Sequence, residues 1–451
     1  MSTPPTVLPP LLPTLLPPDH TDRVALADEV HARPPEPLAR PSRATYVAVL
    51  VKPEARAQET QHLGRLCRDH GATEPAAGAT HFSATLGRLR VKWERHGEFS
   101  GYTFFTSGLS PAPFSEPATA LLPPDWLAAI PGATVAAAHA KLVPAGTGVP
   151  DAAELARHFE GHIAVGAEIG DGAGLAFTDF RIHADGCARF LVIDRSFTPR
   201  QAGRTLQRLF EIEAYRMLAL LALPIARKLS PRIVAIEQAL AALTDDIARD
   251  HGPGQTRDDE ALLQQLTRLA AEVESGLVAS QFRFGACRAY FELVTRRIAE
   301  LREARLDGIQ TIEEFVARRL TPAVATCQTV SQRLHDLSER VAQASSLLST
   351  RVDIARERQN QSLLASMDRR ARLQLGLQQT VEGLSVAAIV YYVAGLAAFA
   401  AKGLKAGGLR IDVDLAVGLA IPVVAVVVIA ALRRARRRMA RDESVEASRP
   451  D

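Results

Sequence analysis

Hydrophobic positions along this chain follow three patterns in turn, and each marks a region. The last region is the plainest. Leu384–Ala401 (LSVAAIVYYVAGLAAFAA) and Leu415–Leu432 (LAVGLAIPVVAVVVIAAL) are uncharged runs of 18 residues each. As a helix such a run spans roughly 27 Å, about one hydrocarbon core. The linker between them, Lys402–Asp414, is short and polar. The pattern predicts a helical hairpin over 384–432 that crosses a membrane twice.

Upstream of it the period is helical. Arg200–Leu223 carries Leu206, Leu209, Phe210, Ala214, Met217, Leu218 and Leu221 at three-four spacing, the stripe of a packed helix. Further helices are predicted over Pro231–Asp250, Asp258–Arg305 and Thr311–Leu320. At Thr321-Pro322 a cap followed by proline predicts a new helix start. From there to the first span no proline occurs, so one helix of about 60 residues, roughly 90 Å, is allowed. Its apolar positions begin near a heptad (Leu334, Leu337, Val341, Ala344, Leu348) and then drift. The expected partner is the antiparallel helix Asp258–Arg305, giving a bundle or stalk.

The N-terminal third alternates instead. Thr45–Val51, His81–Gly87, Leu89–Ser107 and Ala133–Val143 read as strands, as do HIAVGAEI, AGLAFTDFRIHA and CARFLVID, with turn signals at Asp171-Gly172 and Asp185-Gly186. Pro53–His70 reads as a helix stopped by Gly71, and Ala152–Phe159 as a helix capped by Asp151. Strands joined by such short turns predict a mainly antiparallel sheet in an α+β head, without the βαβαβ alternation of a dinucleotide-binding fold. The organisation expected is a Pro-rich arm (1–21), the α+β head (22–198), a helical bundle or stalk (199–383), the transmembrane hairpin (384–432) and a basic tail (433–451).

Composition changes little in this picture. With 53 basic and 50 acidic residues, the chain offers no global argument for a nucleic-acid partner. Cys67, Cys187, Cys287 and Cys327 are far apart and form no CxxC pair, so reduced single thiols are expected. The first 18 residues hold seven prolines and no Lys or Arg, unlike a secretory signal.

Local charge does add something: an orientation. Arg369, Arg370 and Arg372 precede the first span, and Arg433, Arg434, Arg436, Arg437 and Arg438 follow the second. The linker has Lys402, Lys405 and Arg410. Eight against three places both flanks in the cytoplasm by the positive-inside rule. The five C-terminal arginines are the expected topology anchors. Gly395 and Gly418 offer small faces for close helix packing, and a homo-oligomer through stalk and hairpin is expected.

DEVHARPPEPL (28–38), KWERHGEFSGYTF (92–104), RFGACRAYFELVTRRIAELRE (283–303), RRLTPAVATC (318–327) and MDRRARLQLGLQQTVEGLSVAAIVYY (367–392) resemble a bacterial family described only as membrane-anchored proteins of unknown function. The resemblance implies an inner-membrane protein with a large soluble N-terminal part, and it assigns no activity to any residue. The plan of the chain also resembles CorA-type magnesium channels, yet their Gly-Met-Asn signature is missing from YYVAGLAAFAAKGL.

The candidate chemistry sits in WERHGEF. Read as one strand, it puts Trp93, Arg95 and Phe99 on one face and Glu94, His96 and Glu98 on the other. Two carboxylates flanking an imidazole suit a divalent metal, and His31 of DEVHARP is a candidate fourth ligand; the same face is the one place where an enzymatic reading starts. An ion-paired surface strand explains the same pattern. His158 and His162 read as surface residues, and GDGAG (170–174) as a hairpin turn. No catalytic motif is recognised, and a non-enzymatic scaffold or sensor is expected, with a divergent CorA-like cation transporter as the alternative.

Overall fold

A computed structural model describes residues 17–31, 34–146, 148–248, 259–408 and 412–446. Most of the Pro-rich arm lies outside this range. The chain divides into two compact units, Met1–Ser345 and Ser346–Asp451.

The first unit is built on one eight-stranded sheet. In chain order the elements are α1 (Arg23–His31), β1 (Ser42–Leu50), α2 (Arg56–Asp69), β2 (His81–Leu86), β3 (Leu89–Arg95), β4 (Phe99–Ser107), β5 (Ala133–Pro144), α3 (Ala152–His158), β6 (Val165–Ile169), β7 (Gly174–Thr178), β8 (Ala188–Asp194), α4 (Pro199–Leu220), α5 (Ala222–Ala248), α6 (Asp259–Leu301) and α7, which starts at Ile312. The strand order is β2-β3-β4-β1-β5-β8-β7-β6. Every neighbouring pair is antiparallel except β5 and β8, which run parallel. The mainly antiparallel α+β head is therefore as the alternation predicts.

Strand alternation gives the sheet two apolar faces. On one, Val47, Val91, Trp93, Tyr102 and Phe104 meet Leu63 and Leu66 of α2, while Leu175, Phe177 and Leu191 meet Leu155 of α3 and Phe159 just after it. On the other, Phe210 of α4 stacks on Tyr46 and meets Phe190 edge-on. Asp151 caps α3 by accepting the Glu154 amide at 2.7 Å, as its sequence position predicts. Thr198 and Gln201 form a capping box that starts α4 directly after β8.

Several sequence readings change. Leu89–Ser107 is not one strand: β3 ends at Arg95, and His96 N–H donates to the Phe99 carbonyl at 2.8 Å, closing a hairpin into β4. Pro322 does not start a helix, because α7 runs unbroken from Ile312 to Ala406. The proline leaves the Arg318 carbonyl without its ladder donor, but Arg318 is exposed, so water can satisfy it. Val324, Val330, Leu334 and Val341 are buried on the packed side of α7. Leu334 faces Gly276 of α6, which also approaches Leu229 of α5. Ion pairs Arg333–Glu237 and Arg232–Glu272 tie α7 to α5 and α5 to α6. The bundle expected over this stretch is thus built from three helices.

Gly203 on α4 is a point of close approach. A Cβ there would lie 1.7 Å from the Glu36 carbonyl oxygen. The 36–38 segment cannot easily yield, since Leu38 N–H donates to the Pro199 carbonyl at 2.9 Å and Glu36 accepts from Ser83 and Arg90. Gly203→Ala should lower stability by about 1–3 kcal/mol through overpacking, read as a fall in thermal midpoint. An unchanged midpoint would contradict the contact.

The second unit contains the rest of α7 and α8 (Val413–Glu446). Here large apolar side chains face outward: Leu384 is 75% exposed, Tyr391 77% and Phe399 75%. By length and composition the described residues contain one helix able to cross a membrane, the one holding the first predicted span; Val417–Ala431 is a shorter apolar segment. Arg433 and Arg434 are exposed, while the side chains of Arg436, Arg437 and Arg438 lie outside the described residues.

Candidate functional site

The structure distributes the WERHGEF residues differently from a single strand. Trp93 and Arg95 do share a face, and both reach buried Glu59 of α2: Trp93 Nε1 donates at 3.1 Å and Arg95 lies at 3.4 Å. Phe99 is on the opposite side, stacked on His96 with ring centroids 4.3 Å apart and edge-on to Tyr215 and Tyr290. The turn at residues 96–98 causes the switch. Glu94 pairs with Lys92 at 3.0 Å. Glu98 accepts from both terminal nitrogens of Arg283 on α6, at 2.6 and 3.2 Å. Glu94 and His96 line one narrow cleft of about 20 Å³, and Glu98 is not among its lining residues. His31 ends α1, and its side chain lies outside the described residues.

Ligand-type side chains converge elsewhere, at the far end of the sheet. Two groups among the described residues have donor atoms within 4.8 Å of one another: His139, Asp185 and Cys187, and His162, Asp179 and His183. Both depend on the loop between β7 and β8. β7 stops at Thr178, not at Ala184 as alternation suggests. Thr178 Oγ1 accepts from Phe180 N–H, and Asp179 Oδ1 from Arg181 N–H. Phe180 sits at φ 52, a left-handed conformation that a strand cannot contain. Asp185-Gly186 then turns the chain, with Gly186 N–H donating to the His183 carbonyl at 2.9 Å.

In the first group the donors are already committed. Thr45 Oγ1 is 2.9 Å from His139 Nδ1, and His139 Nε2 is 3.6 Å from Asp185. Arg189 approaches the same carboxylate at 3.9 Å. Burial pushes the Cys187 thiol up to about 12, so it stays protonated. Burial likewise pulls His139 down to about 4, aided by Arg189 and opposed by Asp185. The stability consequence has a definite sign. Between pH 4 and the ordinary histidine value of about 6.5 the unfolded chain binds the proton and the folded chain does not, so stability falls as pH falls through that window. The effect is about 3.4 kcal/mol at most, and His139→Gln should flatten the melting-midpoint profile there. An equally steep profile in the variant would contradict the assignment.

The second group is arranged differently. His162 Nδ1 is hydrogen-bonded to Asp179 Oδ2 at 3.0 Å, and His183 Nε2 lies 3.0 Å from the same oxygen without forming a hydrogen bond. The side chains of Asp179 and His183 are fully buried, and that of His162 is partly exposed. On its other side His183 Nδ1 meets Glu160 Oε2 at 3.1 Å, and Glu160 Oε1 accepts from Arg189 at 2.7 Å. The His183 hydrogen bond, then Arg189, holds the Glu160 carboxyl below the usual carboxylate range.

A cavity of about 490 Å³ opens beside Asp179. Phe180, Arg181, Arg216 of α4, Gln310, and Phe315 and Arg319 of α7 form part of its wall. The 302–311 connection shapes it by pairing with the edge strand: Glu168 and Ala304 exchange backbone bonds at 2.9 and 2.7 Å, and Gly166 N–H donates to the Gln310 carbonyl. Arg216 lies over Phe180 and Arg319 over Phe315, which aligns cations and rings along one wall.

Sequence reading places His162 at the surface and passes over Asp179 and His183. The available signal is the pair Asp179 and His183 at i, i+4 just before the Asp185-Gly186 turn. It is hidden because DFRIH also alternates like a strand.

No curated protein and no solved structure matches the chain significantly. Residues 18–439 match the model of a family described as a protein of unknown function, DUF3422, and the chain belongs to that family.

Proposed function

We propose that the chain is a membrane-anchored sensor or scaffold, with its α+β head and helical bundle in the cytoplasm and its anchor in the two runs Leu384–Ala401 and Leu415–Leu432. The observation that carries this reading is the contrast in burial. The sheet hides Trp93, Tyr102, Phe104, Phe177 and Phe190 completely, whereas α7 presents Leu384, Tyr391, Leu396 and Phe399 outward along an uncharged run. An exposed apolar face of that extent is unfavourable in water and favourable in a hydrocarbon phase. Leu415, Leu419, Val423, Val426 and Val427 continue the same exposure on α8. Arginines flank the pair at both outer ends, which supports cytoplasmic placement of both flanks. Leu384–Ala401 carries no charged residue, so an anchor has more support than a conducting path. The ligand side of the sensor is the Asp179 cavity, which combines a buried carboxylate with a basic and aromatic wall. The test is alkaline carbonate extraction of membranes from cells making the full chain. Retention in the pellet supports the anchor; release with peripheral proteins would contradict it.

A further inference from the structure

We propose that His162, Asp179 and His183 bind one divalent transition-metal ion, with Glu160 as the outer partner that orients His183. The inference is independent of the membrane reading.

The first ground is geometric. Three donor atoms from three side chains lie within 4.8 Å of one another, and two of the separations are 3.0 Å. Two ligands bound at ~2.1 Å to one ion and at right angles to each other lie about 3.0 Å apart, so the spacing is that of a coordination edge.

The second ground is an unsatisfied atom. His183 is fully buried, and its Nε2 has no hydrogen-bond partner although Asp179 Oδ2 is only 3.0 Å away. The contact is close but the ring nitrogen does not aim at the oxygen along its N–H direction. With Nδ1–H donated to Glu160, Nε2 carries a lone pair. That lone pair, the Asp179 oxygen and His162 Nδ1 then crowd one point. A proton can bridge one of these contacts, whereas a cation at the common focus satisfies all three.

The third ground is the surrounding shell. A carboxylate on the far nitrogen of a ligating imidazole fixes its tautomer and raises its basicity. Glu160 fills that position, and Arg189 holds it there. The donor set of two imidazoles and one carboxylate suits zinc, iron(II), cobalt(II) or manganese(II) rather than calcium or magnesium. Asp179 also lines the 490 Å³ cavity, while His162 and His183 are not among its lining residues.

The His139 group makes a useful contrast. There the imidazole nitrogen is bonded to Thr45, the thiol is protonated and a guanidinium stands by the carboxylate.

The test uses the full chain, purified in detergent with chelator and then loaded with cobalt(II) as the spectroscopic probe. One equivalent should be retained through gel filtration, with visible d–d absorption. His162→Ala, at a partly exposed position, and Asp179→Asn, nearly isosteric, should each lower cobalt affinity at least 100-fold. Glu160→Gln should lower it about 10- to 100-fold, as outer-shell changes do. His96→Ala and His139→Ala should leave it unchanged. Melting curves of the metal-free variants separate loss of a ligand from loss of fold. Should a folded wild-type chain retain no cobalt, or should folded His162→Ala and Asp179→Asn retain it as wild type does, the site is not a metal site. Transfer of the loss to His96→Ala would place the ion in the β3–β4 cleft instead and also overturn the proposal.

Discussion

Glu59→Ala is expected to destabilise the head by about 3–5 kcal/mol. Glu59 of α2 is completely buried against the sheet. It accepts from Trp93 Nε1 at 3.1 Å and from Tyr102 OH at 2.9 Å, and pairs with Arg95 at 3.4 Å. Burial, and then the Glu59 charge, pushes the Tyr102 phenol far above its ordinary range, so it stays an O–H donor at every accessible pH. Alanine removes the shared acceptor and leaves two buried donors and a largely buried guanidinium without it. Each orphaned donor costs about 1–3 kcal/mol. Glu59→Gln keeps an acceptor for Trp93 or Tyr102 and loses the charge pair, so its cost should be smaller, about 1–2 kcal/mol. Denaturant melts of the two variants check this order. Equal midpoints for wild type and Glu59→Ala would show that the three donors find other partners.

The second large effect concerns the C-terminal helices. A chain ending at Gly383 should move from the membrane pellet to the soluble fraction while keeping the melting transition of the head. The reasoning is burial: the packed apolar residues of the sheet and three-helix bundle extend only to Leu348, and all of them are kept in the shortened chain. The exposed apolar run begins near Leu363 and reaches its uncharged part at Leu384. Cutting there removes surface that only a lipid phase would stabilise. A truncated chain that still sediments with membranes would place the anchor elsewhere.

The elements legible in the sequence are those fixed by local rules. β1 is a β-branched apolar run, α3 has its Asp151 cap, and 170–174 is a glycine-rich turn between β6 and β7. The mainly antiparallel head follows from such signals added together, with seven strands read where the sheet has eight. Pro322 misleads because its local preference is outweighed by packing: Leu320, Val324 and Cys327 are all buried on one side of the helix through it. WERHGEF misleads because alternation looks the same through a three-residue turn as along a strand. The ligand-type cluster is illegible for a stronger reason. His162, Asp179 and His183 come from two connections, and only the pairing of β6, β7 and β8 brings them to one point. No sequence period records that convergence. The positive φ of Phe180 lets the DFRIH segment leave the sheet, and it has no glycine to announce it.

Topology mapping of the full chain tests the central claim most directly. A reporter whose activity depends on the side of the membrane is placed within the Gly407–Gly408 turn and, separately, after Asp451. The anchor with both flanks in the cytoplasm predicts an external signal at Gly407–Gly408 and a cytoplasmic one after Asp451. Signals on the same side at both positions would contradict the two-span hairpin and with it the proposed anchor.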